Sequence, residues 1–313
     1  MRIEGRYRGQ RVGILTGGLS AEREISRRSA TAVQGALQRR GYEAECIEGD
    51  RAVAGALAES GVDVVFNALH GRYGEDGCVQ GLLEVLRLPY TGSGVQASSL
   101  AMDKWLTKKV IESAGIPTPD ADLLASDEAP KRPFPMVVKP RSEGSSNGVG
   151  IAHGPDDLAG VLAGARAFAG DLIAEDFIAG REVTVAVFDG RPLAAMEVIA
   201  LGDEFHSWDV KYTAGREEFL LPAPLGDRYS EVLAVAAATH EAVQASVYSR
   251  VDLRIDDQGN PFVLECNTLP GLHELGWFPR MAAHAGIEFD DLIEGLLDRA
   301  DLGVVETIRE EGP

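Results

Sequence analysis

Between Arg250 and Asn267 the chain reads RVDLRIDDQGNPFVLECN, and this stretch decides the fold. The runs Arg250–Ile255 and Pro261–Cys266 flank the turn-forming Asp257-Gln258-Gly259-Asn260, which predicts a β-hairpin. Side chains alternate across a strand, so Arg250 and Asp252 share one face and Val251 points away. Glu265 and Asn267 share a face in the same way, with Cys266 opposed to them. One face then carries an arginine and three oxygen-bearing side chains. Hard cations such as Mg²⁺ take few carboxylates plus phosphate oxygens, and Asp252, Glu265 and Asn267 would supply the protein's part. The other reading of the same residues is a surface ion pair between Arg250 and Glu265. The stretch that follows, Thr268-Leu269-Pro270-Gly271, favours the first, because a glycine lets backbone N–H groups come close to a ligand.

Upstream, two apolar runs read as buried parallel strands, Arg11–Thr16 (RVGILT) and Val62–Ala68 (VDVVFNA). A helix follows the first of them from near Ser20 or Ala21. Strands alternating with helices predict an open, parallel α/β domain with ligands beyond the C-terminal strand ends. Further along, Met102–Ala114 reads as a helix, and Phe134–Pro140, Leu172–Phe177 and Glu182–Phe188 as strands. Long helices are expected over Tyr229–Val247 and Asp290–Ala300. The expected domains are 1–98, 99–182 and 183–313, and the tail from Glu306 is expected to be loose.

Composition sets limits on function. The 313 residues are 45% hydrophobic and 25% charged, as in globular chains of two or three domains. No apolar run approaches the ~20 residues of a membrane span. Met1–Gln10 is polar, without the apolar core of a signal peptide. Cys46, Cys78 and Cys266 form no CxxC pair, which fits a reducing compartment and excludes a zinc ribbon. Together these imply a cytoplasmic protein without a membrane partner. A net charge of −19 repels phosphate backbones, so nucleic acid is not an expected partner. Any phosphate must be gripped locally. Of 30 basic residues only six are lysine: Lys104, Lys108, Lys109, Lys131, Lys139 and Lys211.

Four further segments carry chemistry. Val137-Val138-Lys139-Pro140 leads into Glu143-Gly144-Ser145-Ser146-Asn147-Gly148, a lysine leaving a strand before a polar loop whose amides and hydroxyls could cradle phosphate oxygens. It lacks the spacing of a Walker P-loop, and taken alone a plain surface loop fits it as well. Leu172–Ile178 with Glu182 reads as an ordinary core strand or as a linker offering its backbone edge to an adenine ring. Glu22 follows Gly17-Gly18 near a helix N-terminus, where a carboxylate ordinarily compensates the dipole. His70 lies at a strand's C-terminal end, where an α/β sheet binds ligands and where a structural histidine is also common.

In this order the segments resemble the D-alanine–D-alanine ligase family of the ATP-grasp superfamily. The blocks are GGLSAEREIS at Gly17–Ser26, ALHGRYGEDG at Ala68–Gly77, LPYTGSG at Leu88–Gly94 and MDK at Met102–Lys104. VVKPRSEGSSNGVG at Val137–Gly150, KY at Lys211–Tyr212, RVD at Arg250–Asp252 and ECNTLPG at Glu265–Gly271 complete them. The resemblance runs from Val12 to about Ala283. It implies an α/β (α+β) ATP-grasp fold, in which an open parallel domain precedes two lobes that hold ATP between them. It implies Lys104, Lys139 and Lys211 on the phosphates. Glu175, Asp176, Phe177 and Ile178 would form the adenine linker, Glu182 would meet the ribose, and Leu264 would lie against the nucleotide. Asp252, Glu265 and Asn267 would ligate two Mg²⁺ ions, with Mn²⁺ able to substitute. Glu22 would bind the donor's ammonium beside Ser145 and Tyr212, and His70 would stand near the donor carboxylate. Arg250 and the Gly271 amide would form an oxyanion site. The implied reaction joins two D-alanines through an acyl phosphate, for peptidoglycan synthesis, in a homodimer. The polar loop Gly202–Leu221, carrying Lys211 and Tyr212, is the expected lid.

One block departs from the family pattern. Relatives carry a Ser-Leu pair where this chain has Gly276-Trp277, in the acceptor's carboxylate site. The departure leaves ATP chemistry intact and opens a rival reading, a sister ligase with the same donor and another acceptor such as D-serine or D-lactate. Lys211-Tyr212 argues against D-lactate. A non-catalytic nucleotide-binding module is the rival of another class, against which the retained Arg250, Asp252, Glu265 and Asn267 argue.

Overall fold

The computed structural model describes residues 3–125, 128–168, 170–202, 215–273 and 276–303. The first sheet is parallel, with β1 (Arg11–Thr16) between β2 (Glu43–Glu48) and β3 (Val64–Asn67). β1 and β3 are buried almost throughout, so they carry apolar side chains on both faces. Helix α1 (Arg23–Arg39) crosses from β1 to β2, and α2 (Val53–Ser60) from β2 to β3. The helix begins at Arg23, later than expected, and Glu22 occupies its N-cap position. After α3 (Cys78–Leu86), the helix expected over Met102–Ala114 is two helices, α4 (Val95–Met102) and α5 (Lys104–Ser113). Asp103 breaks them: its backbone is extended, and its carboxylate accepts the Leu106 N–H at 3.0 Å as an N-cap. Arg141 holds the same carboxylate from the side. Lys104 is thereby fixed at the start of α5.

The second sheet is antiparallel in the order β4 (Ala121–Leu124), β7 (Leu172–Asp176), β5 (Met136–Pro140), β6 (Gly150–Ala152), and α6 (Pro155–Arg166) covers one face. The third, also antiparallel, runs β10 (Glu217–Leu220), β9 (Arg191–Ala200), β8 (Arg181–Phe188), β11 (Tyr248–Ile255), β12 (Pro261–Asn267). Part of the expected lid is therefore a strand, because Glu217–Leu220 pairs with β9. Lys211 and Tyr212 lie outside the described residues, as does the tail from Glu306. Helix α7 (Tyr229–Ala242) ends five residues before the expected Val247, where Gln244 and Val247 adopt left-handed backbone with φ of 56° and 65°. Last come α8 (Trp277–His284) and α9 (Phe289–Leu297).

Three sheets fit the three-part division 1–98, 99–182 and 183–313, which we propose, although 98/99 falls inside α4 and 182/183 inside β8. One core joins the first part to the third. Met281, Leu292, Ile293 and Leu296 share one buried cluster with Val12, Ile14, Val33 and Phe66 of the first domain. Arg39 grips Asp290 at 2.6 and 2.9 Å across the same seam. The first and third units are thus welded, and the second sheet is joined to the third through the segment between β7 and β8.

In that segment Arg254 donates to the carbonyls of Ile178 at 3.1 Å and Gly180 at 2.9 Å. Gly180 has φ of 130°, and a Cβ there would come within 2.0 Å of the Ile255 carbonyl oxygen. Only glycine fits. Gly180→Ala is expected to lower the unfolding free energy by about 1–3 kcal/mol. Urea denaturation checks this, and an unchanged midpoint would show that the linker simply moves aside.

Candidate active site

The hairpin forms with Arg250 opposite Asn267 and Asp252 opposite Glu265. Register then shifts, because Leu253 pairs with Val263 and Leu264 is an extra residue on β12. This bulge decides which way the carboxylate points. Val263 is buried in the core behind the sheet, and strict alternation would send Glu265 after it. One inserted residue reverses the parity, so Glu265 and Asn267 face outward while Cys266 enters the core. Burial pushes the Cys266 thiol pKa up to about 12. Arg250 does not pair with Glu265. Its Nε and Nη2 donate to the two oxygens of Asp252 at 2.9 and 2.7 Å, and Thr184 donates to Asp252 Oδ1 at 2.7 Å. Burial disfavours the guanidinium, but Asp252 outweighs it and holds the Arg250 pKa above its ordinary value.

Two cavities meet at this face. The first lies between the second and third sheets. Alternation on β5 puts Val137 and Lys139 in its wall while Met136 and Val138 enter the core. Every described residue expected at the nucleotide lines it: Lys104, Lys139, Glu175, Asp176, Phe177, Ile178, Glu182 and Leu264. Val149 and Ile151 add to its apolar part, and Asp252 and Glu265 close its charged end. Lys139 Nζ donates to Glu175 Oε1 at 2.6 Å.

The second cavity lies between the first domain and the third sheet, lined by Glu22, His70, Ser145, Arg250, Asn267, Gly271, Gly276 and Trp277. Lys104, Glu143 and Glu265 line both cavities, so the two spaces join there. Lys104 Nζ donates to the Glu143 carbonyl and stands 3.4 Å from Glu265 Oε2. Ser145, held at φ of 51°, donates its hydroxyl to Glu22 Oε1. Gly71 and Gly144 leave the corner around Glu22 open, since a Cβ on either would approach Glu22 Oε2 at 2.7 and 3.1 Å.

Several residues here escaped the sequence reading. Ile25 and Arg28 follow Glu22 along one face of α1 at helical spacing, which was the available signal. Ser29, buried beside them, faces His70 Nε2 at 3.0 Å and accepts the Leu272 N–H at 3.2 Å. Glu75 faces His70 Nδ1 at 3.3 Å. Arg280 and His273 line the far end. Burial, with Arg28, His70 and Arg280 nearby, lowers the His273 pKa and keeps that imidazole neutral near pH 7. Trp277 lies with its ring 5.1 Å from the Arg250 guanidinium carbon and meets Phe219 edge-on at 6.2 Å. Gly276 is crowded, because a Cβ there would sit 3.0 Å from the carbonyl oxygens of Gly271 and His273.

The donor set can be tested for a metal. Asp252 and Glu265 lie side by side with the Asn267 amide, and no group of three or more His, Cys, Asp or Glu residues suited to a metal occurs among the described residues. Two carboxylates and an amide fit a hard cation that completes its shell with phosphate oxygens and water. They do not fit a soft metal, which prefers thiolates. Asp252 Oδ2 accepts one hydrogen bond, from Arg250, and so keeps a lone pair.

Comparison with known proteins places the chain in a family. Residues 104–298 match the family model described as D-ala D-ala ligase C-terminus, and residues 49–93 match D-ala D-ala ligase N-terminus. The D-alanine–D-alanine ligase of Citrifermentans bemidjiense is 44% identical over 298 residues, covering 94% of this chain and 97% of that one. The ligase of that name from Geotalea uraniireducens is 42% identical over 301 residues, with the same coverage. Among solved structures, D-alanine–D-alanine ligase from Bacillus anthracis complexed with ATP superposes with a TM-score of 0.78 at 32% identity, covering 93% of this chain and 97% of that one. A second structure of the Bacillus anthracis ligase gives 0.81 at 33% identity and the same coverage.

The Ser29 pin generates a test. Ser29→Ala leaves the Leu272 N–H without its acceptor in a buried position. The expected loss of stability is about 1–3 kcal/mol. Chemical denaturation measures it, and wild-type stability would mean that the loop finds another acceptor.

Proposed function

The chain belongs to the D-alanine–D-alanine ligase family, and from that premise we propose how its residues join two D-alanines at the expense of ATP. The observation that carries the reading is the junction at Lys104 and Glu265, where the cavity lined by Lys139, Glu175–Ile178 and Glu182 opens into the second cavity lined by Glu22 and Arg250. The first D-alanine sits in the second cavity with its ammonium on Glu22, in the corner left open by Gly71 and Gly144. Its carboxylate points to the junction. There it attacks the γ-phosphorus of ATP, giving an acyl phosphate and ADP. Lys104 and Lys139 neutralise charge on the phosphoryl oxygens, joined by Lys211. Asp252, Glu265 and Asn267 would hold Mg²⁺, which when bound would neutralise phosphate charge and orient the transferring group.

The second D-alanine, as the free amine, then attacks the acyl carbon. The carbonyl π electrons move to oxygen, and Arg250 with the Gly271 amide stabilises that oxyanion. Collapse expels phosphate, the amine sheds its proton, and the dipeptide remains. Arg250 stays charged through this sequence because Asp252 holds its Nε–Nη2 edge, and the Nη1 donors remain for the oxyanion. Water must be kept from the acyl phosphate. The dipeptide supplies peptidoglycan synthesis, the enzyme works in the cytoplasm, and it acts as a homodimer. No helix among the described residues is long and apolar enough to cross a membrane.

Phosphate release from ATP with D-alanine as sole amino acid tests the reading, with the dipeptide followed by chromatography. Phosphate release that required a different second amino acid would overturn it. In that assay Glu265→Gln is expected to reduce turnover by more than about 100-fold. The fold should be retained, and near-normal Mg²⁺-dependent activity would contradict the metal assignment.

The acceptor end is where this chain differs. Gly276 supplies no hydroxyl to the acceptor carboxylate, and a Cβ there would press on the carbonyl oxygens of Gly271 and His273 at 3.0 Å. The Trp277 indole closes that end and lies against Arg250. A desolvated cation–π contact contributes up to about 2 kcal/mol. Trp277→Leu is therefore expected to raise the KM for the second D-alanine by at least tenfold while leaving acyl phosphate formation unchanged. Kinetics with D-alanine, D-serine and D-lactate on both proteins decide it. Identical acceptor profiles would return Trp277 to a packing role.

A further inference from the structure

Lys108 is a charged side chain that the mechanism above leaves unused, and it is completely buried, at 0% exposure. Burial lowers the Lys108 pKa from its ordinary value while Glu175 acts against that, and the ammonium has three close partners. Its Nζ lies 2.8 Å from Glu175 Oε2, donates to Thr118 Oγ1 at 2.8 Å, and donates to the Pro119 carbonyl at 2.9 Å. The other oxygen of the same carboxylate accepts from Lys139. Glu175 thus lies between two ammonium groups that differ in one respect. Lys139 lines the nucleotide cavity, whereas Lys108 stands behind it on α5, one helical turn after Lys104.

That difference has an electrostatic consequence. Glu175 is 2% exposed. Burial raises its pKa, but the charges of Lys139 and Lys108 outweigh burial and hold it below the usual carboxylate value, so it is an anion at neutral pH. A buried anion binds strongly to whatever cation is within reach. Were Lys139 the only one, it would be held on Glu175 and withheld from a phosphate in the cavity. Lys108 faces no such competition, because its remaining donors are fixed on Thr118 and Pro119. We propose that Lys108 is a positioning residue, the standing counter-charge of Glu175 that frees Lys139 to engage the nucleotide phosphates. The proposal rests on the ATP reading of the cavity. The same contacts reach the metal-facing strand, since Thr118 donates to the Val263 carbonyl at 2.7 Å, beside the bulge at Leu264.

The test uses the full chain and two probes, ADP and adenosine, with affinities measured by calorimetric competition. In Lys108→Met, ADP affinity is expected to fall at least tenfold while adenosine affinity stays within about twofold, because only the phosphate contact is diverted. The KM for ATP should rise, with the KM for D-alanine unchanged. In the Glu175→Gln background the demand for a counter-charge is gone, so adding Lys108→Met should change ADP affinity by less than twofold. Equal losses for ADP and adenosine would overturn the proposal by showing a collapsed cavity. Unchanged ADP affinity in Lys108→Met, or an undiminished tenfold loss in the Glu175→Gln background, would overturn it as well. Should the single variant not fold, the charge-neutral double variant against Glu175→Gln carries the decision: equal ADP affinity supports the proposal and a tenfold gap overturns it. A wild-type chain that bound neither probe would overturn the ATP reading itself, and the proposal with it.

Discussion

One extra residue on β12 governs which chemistry the third sheet presents. Without the bulge at Leu264, the parity of the strand would bury Glu265 beside Val263 and turn Cys266 outward. With it, Glu265 stands opposite Asp252, Leu264 joins the wall of the nucleotide cavity, and the core behind remains apolar. The rest of the site is built on that face. Arg250 is set by Asp252, Trp277 by Arg250, and Lys104 comes over from α5 to Glu265. A bulge is a local departure from alternation, yet here it turns Glu265 and Asn267 toward the junction of the two cavities.

The electrostatics follow from scarcity. A chain with net charge −19 must hold phosphate by a few cations placed where the general field is locally reversed. Lys104, Lys108 and Lys139 converge from α5 and β5, each on an acidic or carbonyl partner. Such pairs contribute modestly to stability because desolvation offsets most of the attraction. Their effect is geometric: they fix where positive charge stands before any ligand arrives.

Much of this was legible in the sequence because it was written in local signals. The hairpin showed in its turn residues, the first domain in its alternating strands, and the lysine–glycine loop in composition. Where helix limits were missed, the cause was a tertiary contact or an unread cap. Asp103 splits one expected helix into two by accepting the Leu106 N–H, and it is itself held by Arg141, 38 residues away in sequence. The bulge was illegible, because nothing in PFVLECN marks Leu264 as the unpaired residue. Ser29 and Lys108 went unread for a related reason, since each acquires its meaning from partners on other elements. Arg28 was readable in principle, lying at helical spacing from Glu22. The pairing of Arg250 with Asp252 rather than Glu265 is the reverse case, in which alternation alone already placed the two on one face.

The thiol of Cys266 lies behind the carboxylates of Asp252 and Glu265, sealed in the core with its pKa pushed up to about 12, while Cys46 and Cys78 are exposed. A thiol in that state is unreactive toward electrophiles in the closed protein and becomes reactive only when β12 separates from the core. The chain thus carries an internal clock on its third sheet. After the two outer thiols are blocked, the slow labelling of the third measures how often that sheet opens, and ligands that seat against Asp252 and Glu265 would be seen to stop it.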